Sequence, residues 1–216
     1  MEYGIQRRSI YLAPPEGDDV TFFFNQFDDP EVWQMFGFTK PARTRMMRSY
    51  RSGNVVVGIL RLAATKKRIG FALCFPPAGT FDFWEFGYAI SVKSDRNAFN
   101  ALNTTDALAH YMFEHLNVNA MGWRTREDNR AADAVVRRLG YKPFDKGKYD
   151  GHLYTFYRLD RAGWAARRAK LDDGEKKYPS GIGATFVTLP IPCEPIVPIA
   201  PMAPSAEADP EISPPR

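Results

Sequence analysis

Two cysteines in 216 residues, Cys74 and Cys193, are too few and too far apart for a disulfide framework or a thiolate metal site. The three histidines, His110, His115 and His152, show no metal spacing. His110 and His115 read as surface residues of one helix, and His152 as a turn residue beside Gly151. No apolar run approaches bilayer length, and Met1-Glu2-Tyr3-Gly4 opens without the basic and apolar regions of a secretion signal. No phosphate-binding P-loop and no dinucleotide fingerprint occurs. These absences exclude disulfide scaffolds, zinc modules, membrane spans and the common nucleotide folds. The expectation is a soluble chain of a reducing, cytoplasmic compartment with no metal, no membrane partner, and Cys74 as a small core residue.

A hydrophobic content of 44% with 14% aromatics is ample for one core, so the body is globular. The net charge of +4 is uneven. Residues 179–216 carry −3, leaving 28 basic against 21 acidic residues, or +7, on the rest. That mild excess suits an anionic small ligand or a weak nucleic-acid contact and decides neither, and nucleic acid is not expected as a partner. Ten of the 17 prolines also fall in 179–216, at three-residue spacing from Pro192 to Pro204 with aliphatics between. Such a stretch is an extended arm suited to a groove on a protein partner. Three parts result: a domain over 1–171, a linker at 172–178 and a proline-rich arm at 179–216.

Along the domain, Arg8–Leu12 reads as a strand. Asp18-Asp19 caps a helix with Val20, Phe23, Phe24 and Phe27 on one side. Pro30 starts a further turn carrying Val32, Trp33 and Phe36, and Arg43–Tyr50 forms a short helix. Val55–Leu62, Arg68–Phe75 and Phe83–Val92 make a three-stranded antiparallel meander. A helix over Asn103–Leu116, a strand over Val118–Thr125, a helix over Asn129–Leu139 stopped by Gly140, a strand over Leu153–Leu159 and a basic helix over Arg161–Leu171 follow. This order is not an alternating βαβ series, so a doubly wound sheet is disfavoured and the class is α+β.

Four pieces in this order resemble the GCN5-related N-acetyltransferases, nearest the branch that acetylates ribosomal-protein N-termini. They are Asp29-Pro30-Glu31-Val32, Glu85-Phe86-Gly87-Tyr88-Ala89-Ile90, Tyr111–Leu116, and Asn129-x-x-Ala132 followed by Val136 and Leu139-Gly140-Tyr141. The resemblance covers roughly residues 5–168. It implies a mixed, mostly antiparallel sheet flanked by helices, with acetyl-CoA between the splayed strands 83–92 and 118–125. Ile90 and Val92 would pair with the pantetheine arm. The diphosphate would meet the helix-opening loop Arg96-Asn97-Ala98-Phe99-Asn100-Ala101. Phe99 stands where the family has glycine, which either turns its ring away or fills the phosphate space. Asn129 and Ala132 complete the cofactor set, Ala132 replacing a serine that could contact the thiolate.

Acetyl transfer to an amine needs a base, a polarised carbonyl and a protonated leaving thiolate. Glu85 is the candidate base; its other reading is a strand carboxylate paired with an arginine. The tyrosine acid common in the family falls at Val136 and is absent. Tyr141 stands in as a candidate acid, its other reading being a packed ring. Lys93, Arg96, Arg124, Arg126 and Arg130 surround the expected cofactor mouth. Two functions follow. One is an acetyl-CoA-dependent N-acetyltransferase acting on a protein N-terminus or a small amine. The other is a lapsed acetyltransferase fold built into a larger assembly, such as a phage particle, through its proline arm. Homo-oligomerisation stays open.

Overall fold

In the computed structural model, residues 3–35, 43–77, 82–149, 151–178 and 184–190 are described. The expectations for Phe36, and for the proline-rich arm at 179–183 and 191–216, concern residues outside this set. The chain begins with β1 (Tyr3–Arg7) and β2 (Ile10–Ala13), then α1 (Asp19–Asn25), α2 (Pro30–Met35) and α3 (Arg43–Arg51). Strands β3 (Val56–Leu62), β4 (Arg68–Phe75) and β5 (Trp84–Ile90) lead to α4 (Ala98–His110), which continues as a π-helical turn over Tyr111–His115. Then come β6 (Ala120–Arg126), α5 (Arg130–Arg138), β7 (Lys142–Tyr149), β8 (His152–Asp160), α6 (Arg161–Lys177) and β9 (Val187–Pro190).

Among the described residues one nine-stranded sheet runs β7-β8-β6-β5-β4-β3-β2-β1-β9. Side chains alternate across it and feed two cores. Ala72, Cys74, Phe86 and Ile90 pack with Leu108 and Met112 beneath α4, with Val136 of α5 and with Trp164 of α6. Val57, Ile59, Phe71, Leu73 and Ala89 pack on the other face with Phe23, Phe24, Phe27 and Val32. The fold is thus the mixed sheet between helical layers that the α+β reading implied. Gly140 ends α5 at φ +87°, a conformation that side-chain-bearing residues rarely adopt.

Several boundaries differ from expectation, each for a local reason. The helix expected to open at Asn103 opens at Ala98, because the Asn97 side chain accepts the Asn100 N–H (2.9 Å) and caps it there. The 172–178 stretch is no linker: α6 runs to Lys177, tied down by Glu175 to Arg7 (3.4 Å) and Arg8 (3.3 Å). Part of the expected arm folds back as β9, antiparallel to β1. β7, whose Lys-Pro-Phe-Asp-Lys-Gly-Lys-Tyr sequence hides any alternation, is a strand through its pairing with β8. Its lysines, its Pro143 and a register shift nearby suit it to the sheet edge.

His110 is also not a surface residue. Only 8% exposed, its ring stacks on Phe186 of the returning segment at 4.3 Å, and the Arg168 guanidinium lies 3.2 Å from Nδ1. Burial first, then Arg168, lower its pKa to about 4. The unfolded chain therefore binds a proton that the folded chain refuses between the ordinary histidine value and that one. Stability should be present above this window and fall as pH drops through it, by on the order of 2 kcal/mol. Urea unfolding across the window should show a flatter profile for His110→Gln than for the natural protein.

Candidate active site

The centre of the sheet holds its parallel pair. β5 and β6 pair only at Trp84↔Met121 and Glu85↔Gly122, then part. Each is held on its far side, β5 by β4 from Phe75↔Glu85 to Gly70↔Ile90 and β6 by β8 along its whole length. The gap is therefore fixed by its outer neighbours. It contains a small cleft of about 90 Å³ whose walls include Glu85, Tyr88, Trp123, Asn129, Ala132 and Tyr154.

Backbone polarity along the gap follows from the ladder. The Ser91 N–H donates to the Ile69 carbonyl at 2.8 Å, so alternation turns the amide groups of Tyr88 and Ile90 away from β4, into the gap. The Val92 N–H also donates to Ile69 (3.3 Å), which turns it from any ligand in the gap. Of the expected pair, Ile90 therefore turns its amide into the gap and Val92 does not, and Tyr88 is the other residue whose amide faces it. The Ile90 carbonyl already accepts Arg96 Nε at 2.7 Å, leaving its N–H as the group facing the gap.

At the mouth, Lys93–Asp95 forms a 3₁₀ turn before the Asn97 cap. With the Asn100 N–H taken by Asn97 Oδ1 and the Ala101 N–H by the Asn97 carbonyl, the first-turn donors that remain are those of Ala98 and Phe99. Phe99 is 52% exposed and lies in the helix with no left-handed strain, so its side chain is turned toward solvent. Asn100 points inward, donating to the Asp95 carbonyl (2.9 Å) and accepting from Ser9 Oγ (2.9 Å). Asn97 and Asn100 thus shape the loop with their side chains and leave the Ala98 and Phe99 amides as its open donors.

Glu85 Oε1 sits 2.8 Å from Arg124 Nε, on the face opposite α4, with about a quarter of its side chain exposed to the cleft. Burial raises its pKa and Arg124 opposes the rise, a combination suited to a carboxylate that takes up and releases a proton. Beside it the Phe83 ring lies over Gly122, where a Cβ would stand 2.1 Å from it, so only glycine fits there. On the α4 face the Trp123 ring contacts Phe86 (4.9 Å) and Tyr88 (5.4 Å), reaching from β6 to β5 and forming a floor. Asn129 caps α5 through the Ala132 N–H (3.1 Å), which brings both residues to the cleft wall.

Tyr141 is not brought there. It is buried beneath Phe86 and Trp123, its hydroxyl donating to the Met121 sulfur (3.4 Å), and burial holds its pKa well above the ordinary phenol value. The Tyr88 hydroxyl donates to the Ala101 carbonyl (3.2 Å) and is pushed up to about 12 by burial. Tyr154 of β8 is the phenol that sequence reasoning passed over; its strand was visible, but nothing marked this residue as facing a cleft. Among the described residues no group of three or more His, Cys, Asp or Glu could hold a metal, and no helix is long and apolar enough to cross a membrane.

Comparison with known proteins bears on this arrangement. The model of the acetyltransferase (GNAT) domain family matches residues 9–142, more than half the chain. Among solved structures, spermidine N-acetyltransferase from Vibrio cholerae, in complex with CoA and spermine, is similar with TM-score 0.60 at 12% identity, covering 73% of this chain and 98% of that one. An aminoglycoside acetyltransferase in complex with coenzyme A gives 0.61 at 14% identity over 74% and 99%. An acetyltransferase from Agrobacterium tumefaciens str. C58 gives 0.58 at 18% identity over 73% and 94%. At such identities these likenesses show the fold alone. A search of curated proteins by sequence found no match. Splayed central strands, a capped helix at their mouth and a match spanning both place this chain in the GNAT acetyltransferase family.

Proposed function

We propose that this protein is an acetyl-CoA-dependent N-acetyltransferase acting on an amine. The observation that carries the reading is the gap between β5 and β6, with Glu85 on one wall and the Tyr88 and Ile90 amides directed into it. The residues present fit acetyl-CoA. The Ile90 and Tyr88 backbone would pair with its pantetheine arm, the Ala98 and Phe99 amides with Arg96 and Lys93 would meet its diphosphate, and Asn129 and Ala132 would flank its thioester. Bound there, acetyl-CoA supplies an activated acyl group.

The chain's own residues then divide the work. Glu85 accepts a proton from the substrate ammonium, directly or through a water, freeing the amine lone pair to attack the thioester carbonyl, with Arg124 keeping enough of Glu85 ionised. A strand amide facing the gap stabilises the developing oxyanion. Tyr154, in the cleft wall, is the proposed proton donor to the leaving thiolate in place of Tyr141. Trp123 floors the cleft.

The acceptor side offers Glu85 already paired with Arg124, in a cleft that Arg126, itself paired with Asp128, also lines, so among the described residues no unpaired carboxylate there invites a polycation. We infer a single-amine acceptor, such as a protein N-terminus, in keeping with the ribosomal-protein branch that the Asn129 and Leu139-Gly140-Tyr141 spacing resembles. The proline-rich stretch beyond β9 is read as a contact for a protein partner, and the cytoplasm as the setting. The test is incubation with acetyl-CoA and a panel of N-terminal peptides, small monoamines and spermidine, followed by mass spectrometry and free-thiol release. Acetylated peptide or monoamine with matching thiol release supports the reading; no acetylated product and no thiol release contradicts it.

A further inference from the structure

Glu31 reaches the cofactor mouth from the opposite helical layer. It belongs to α2, whose Val32 packs in the Phe23–Phe27 aromatic core across the sheet from α4. Its carboxylate nevertheless bonds Arg96 Nη1 and lies 3.5 Å from Lys93 Nζ, just before the α4 amides of Ala98 and Phe99. The other guanidinium nitrogens of Arg96 are spent on backbone: Nε donates to the Ile90 carbonyl (2.7 Å) and Nη2 to the Ser91 carbonyl (3.2 Å). Those two bonds fix the guanidinium in place, so its Nη1 edge is what it can offer an anion. A carboxylate now holds that edge. The other acid of the turn, Asp95, is engaged elsewhere, by Lys67 at 3.3 Å.

We propose that Glu31 holds the place of the cofactor's diphosphate in the free protein, and that CoA must displace it to bind. The inference rests on the reading that acetyl-CoA enters at this mouth. A diphosphate brings more charge and more acceptor oxygens than one carboxylate, so the exchange favours the ligand while lowering its net affinity. Its second consequence is coupling. Freeing Glu31 unties α2 from the end of β5, so cofactor entry loosens the helix on the acceptor side of the sheet. Glu31 is then a residue that tunes cofactor binding and reports it to the other face. It is exposed by 44%, so the exchange requires no unfolding of the core.

The test is calorimetric titration of CoA into the natural protein, Glu31→Gln and Glu127→Gln, the last making the same charge change at an exposed carboxylate paired with Lys146. Glu31→Gln should bind CoA about fivefold tighter, the size of one to two exposed ion pairs, while Glu127→Gln stays within about twofold of the natural protein. Equal or weaker binding by Glu31→Gln, or equal tightening by both variants, overturns the inference and leaves the cofactor reading standing. No heat from natural protein and variants alike overturns both. Hydrogen exchange on the natural protein gives a readout free of mutation. CoA should speed exchange of the amides of 31–35; slowing or no change contradicts the exchange of anions.

Discussion

Replacing Glu85 with glutamine should lower kcat about a hundredfold, the usual size of a general-base contribution, while leaving the dissociation constant for CoA within about twofold. The amide keeps the shape of the side chain and a hydrogen bond to its neighbours but cannot take up a proton. The pH profile separates this role from packing. Because burial raises the Glu85 pKa, the natural enzyme's rate should climb through a pKa above the ordinary carboxylate value, and Glu85→Gln should lose that limb. Arg124→Met removes the opposing charge and should move the same limb to higher pH. If Glu85→Gln keeps nearly full kcat, the amine loses its proton to solvent and Glu85 is a strand carboxylate in an ion pair.

The second large effect is on stability. Asp106 of α4 is almost wholly buried and is held by a two-point pair with Arg167 of α6, Nε to Oδ1 at 3.0 Å and Nη2 to Oδ2 at 2.8 Å. Arg167→Ala should cost about 3 kcal/mol in urea unfolding, since it strands a buried carboxylate whose desolvation nothing else fully offsets. Burial already raises the Asp106 pKa, and Arg167 opposes the rise. Without Arg167 the folded-state value rises further above the unfolded one. The folded form then prefers the protonated acid, so its stability is intact below the unfolded carboxylate pKa and falls as pH climbs through the raised value. The deficit of Arg167→Ala should therefore be small in acid and largest near neutrality. Asp106→Asn placed in the same chain should recover part of it. An equal deficit at every pH would mean that lost packing, and not the stranded charge, is the cause.

Most of the strands were readable because they carry their own signals. Val55–Leu62, Arg68–Phe75 and Leu153–Leu159 are rich in β-branched and aromatic residues, and Gly140 marks the end of α5 by its backbone alone. β7 and β9 were unreadable because each is a strand by virtue of a partner, β8 or β1, and not by its composition. His110 misled for a similar reason: its neighbour on α4 is visible in the sequence, but the Phe186 ring that covers it comes from a distant segment. In the candidate site, the family resemblance pointed to Glu85, Asn129 and Ala132, three residues that line one cleft. Val92 shares the strand phase of Ile90, but the chain leaves the ladder there and the Val92 N–H turns back to the Ile69 carbonyl, a local bend that alternation in the sequence does not show. Phe99 looked obstructive as a letter in a glycine position; a helical backbone carries its ring to solvent.

The account depends on a cofactor occupying the space between β5 and β6. The most direct measurement is calorimetric titration of acetyl-CoA into the natural protein and into Ala132→Phe, whose ring would fill the cleft wall while the thermal midpoint reports that the variant is folded. Micromolar binding by the natural protein, lost in a folded Ala132→Phe, is the predicted result. No heat from the natural protein, or equal binding by both, would contradict it.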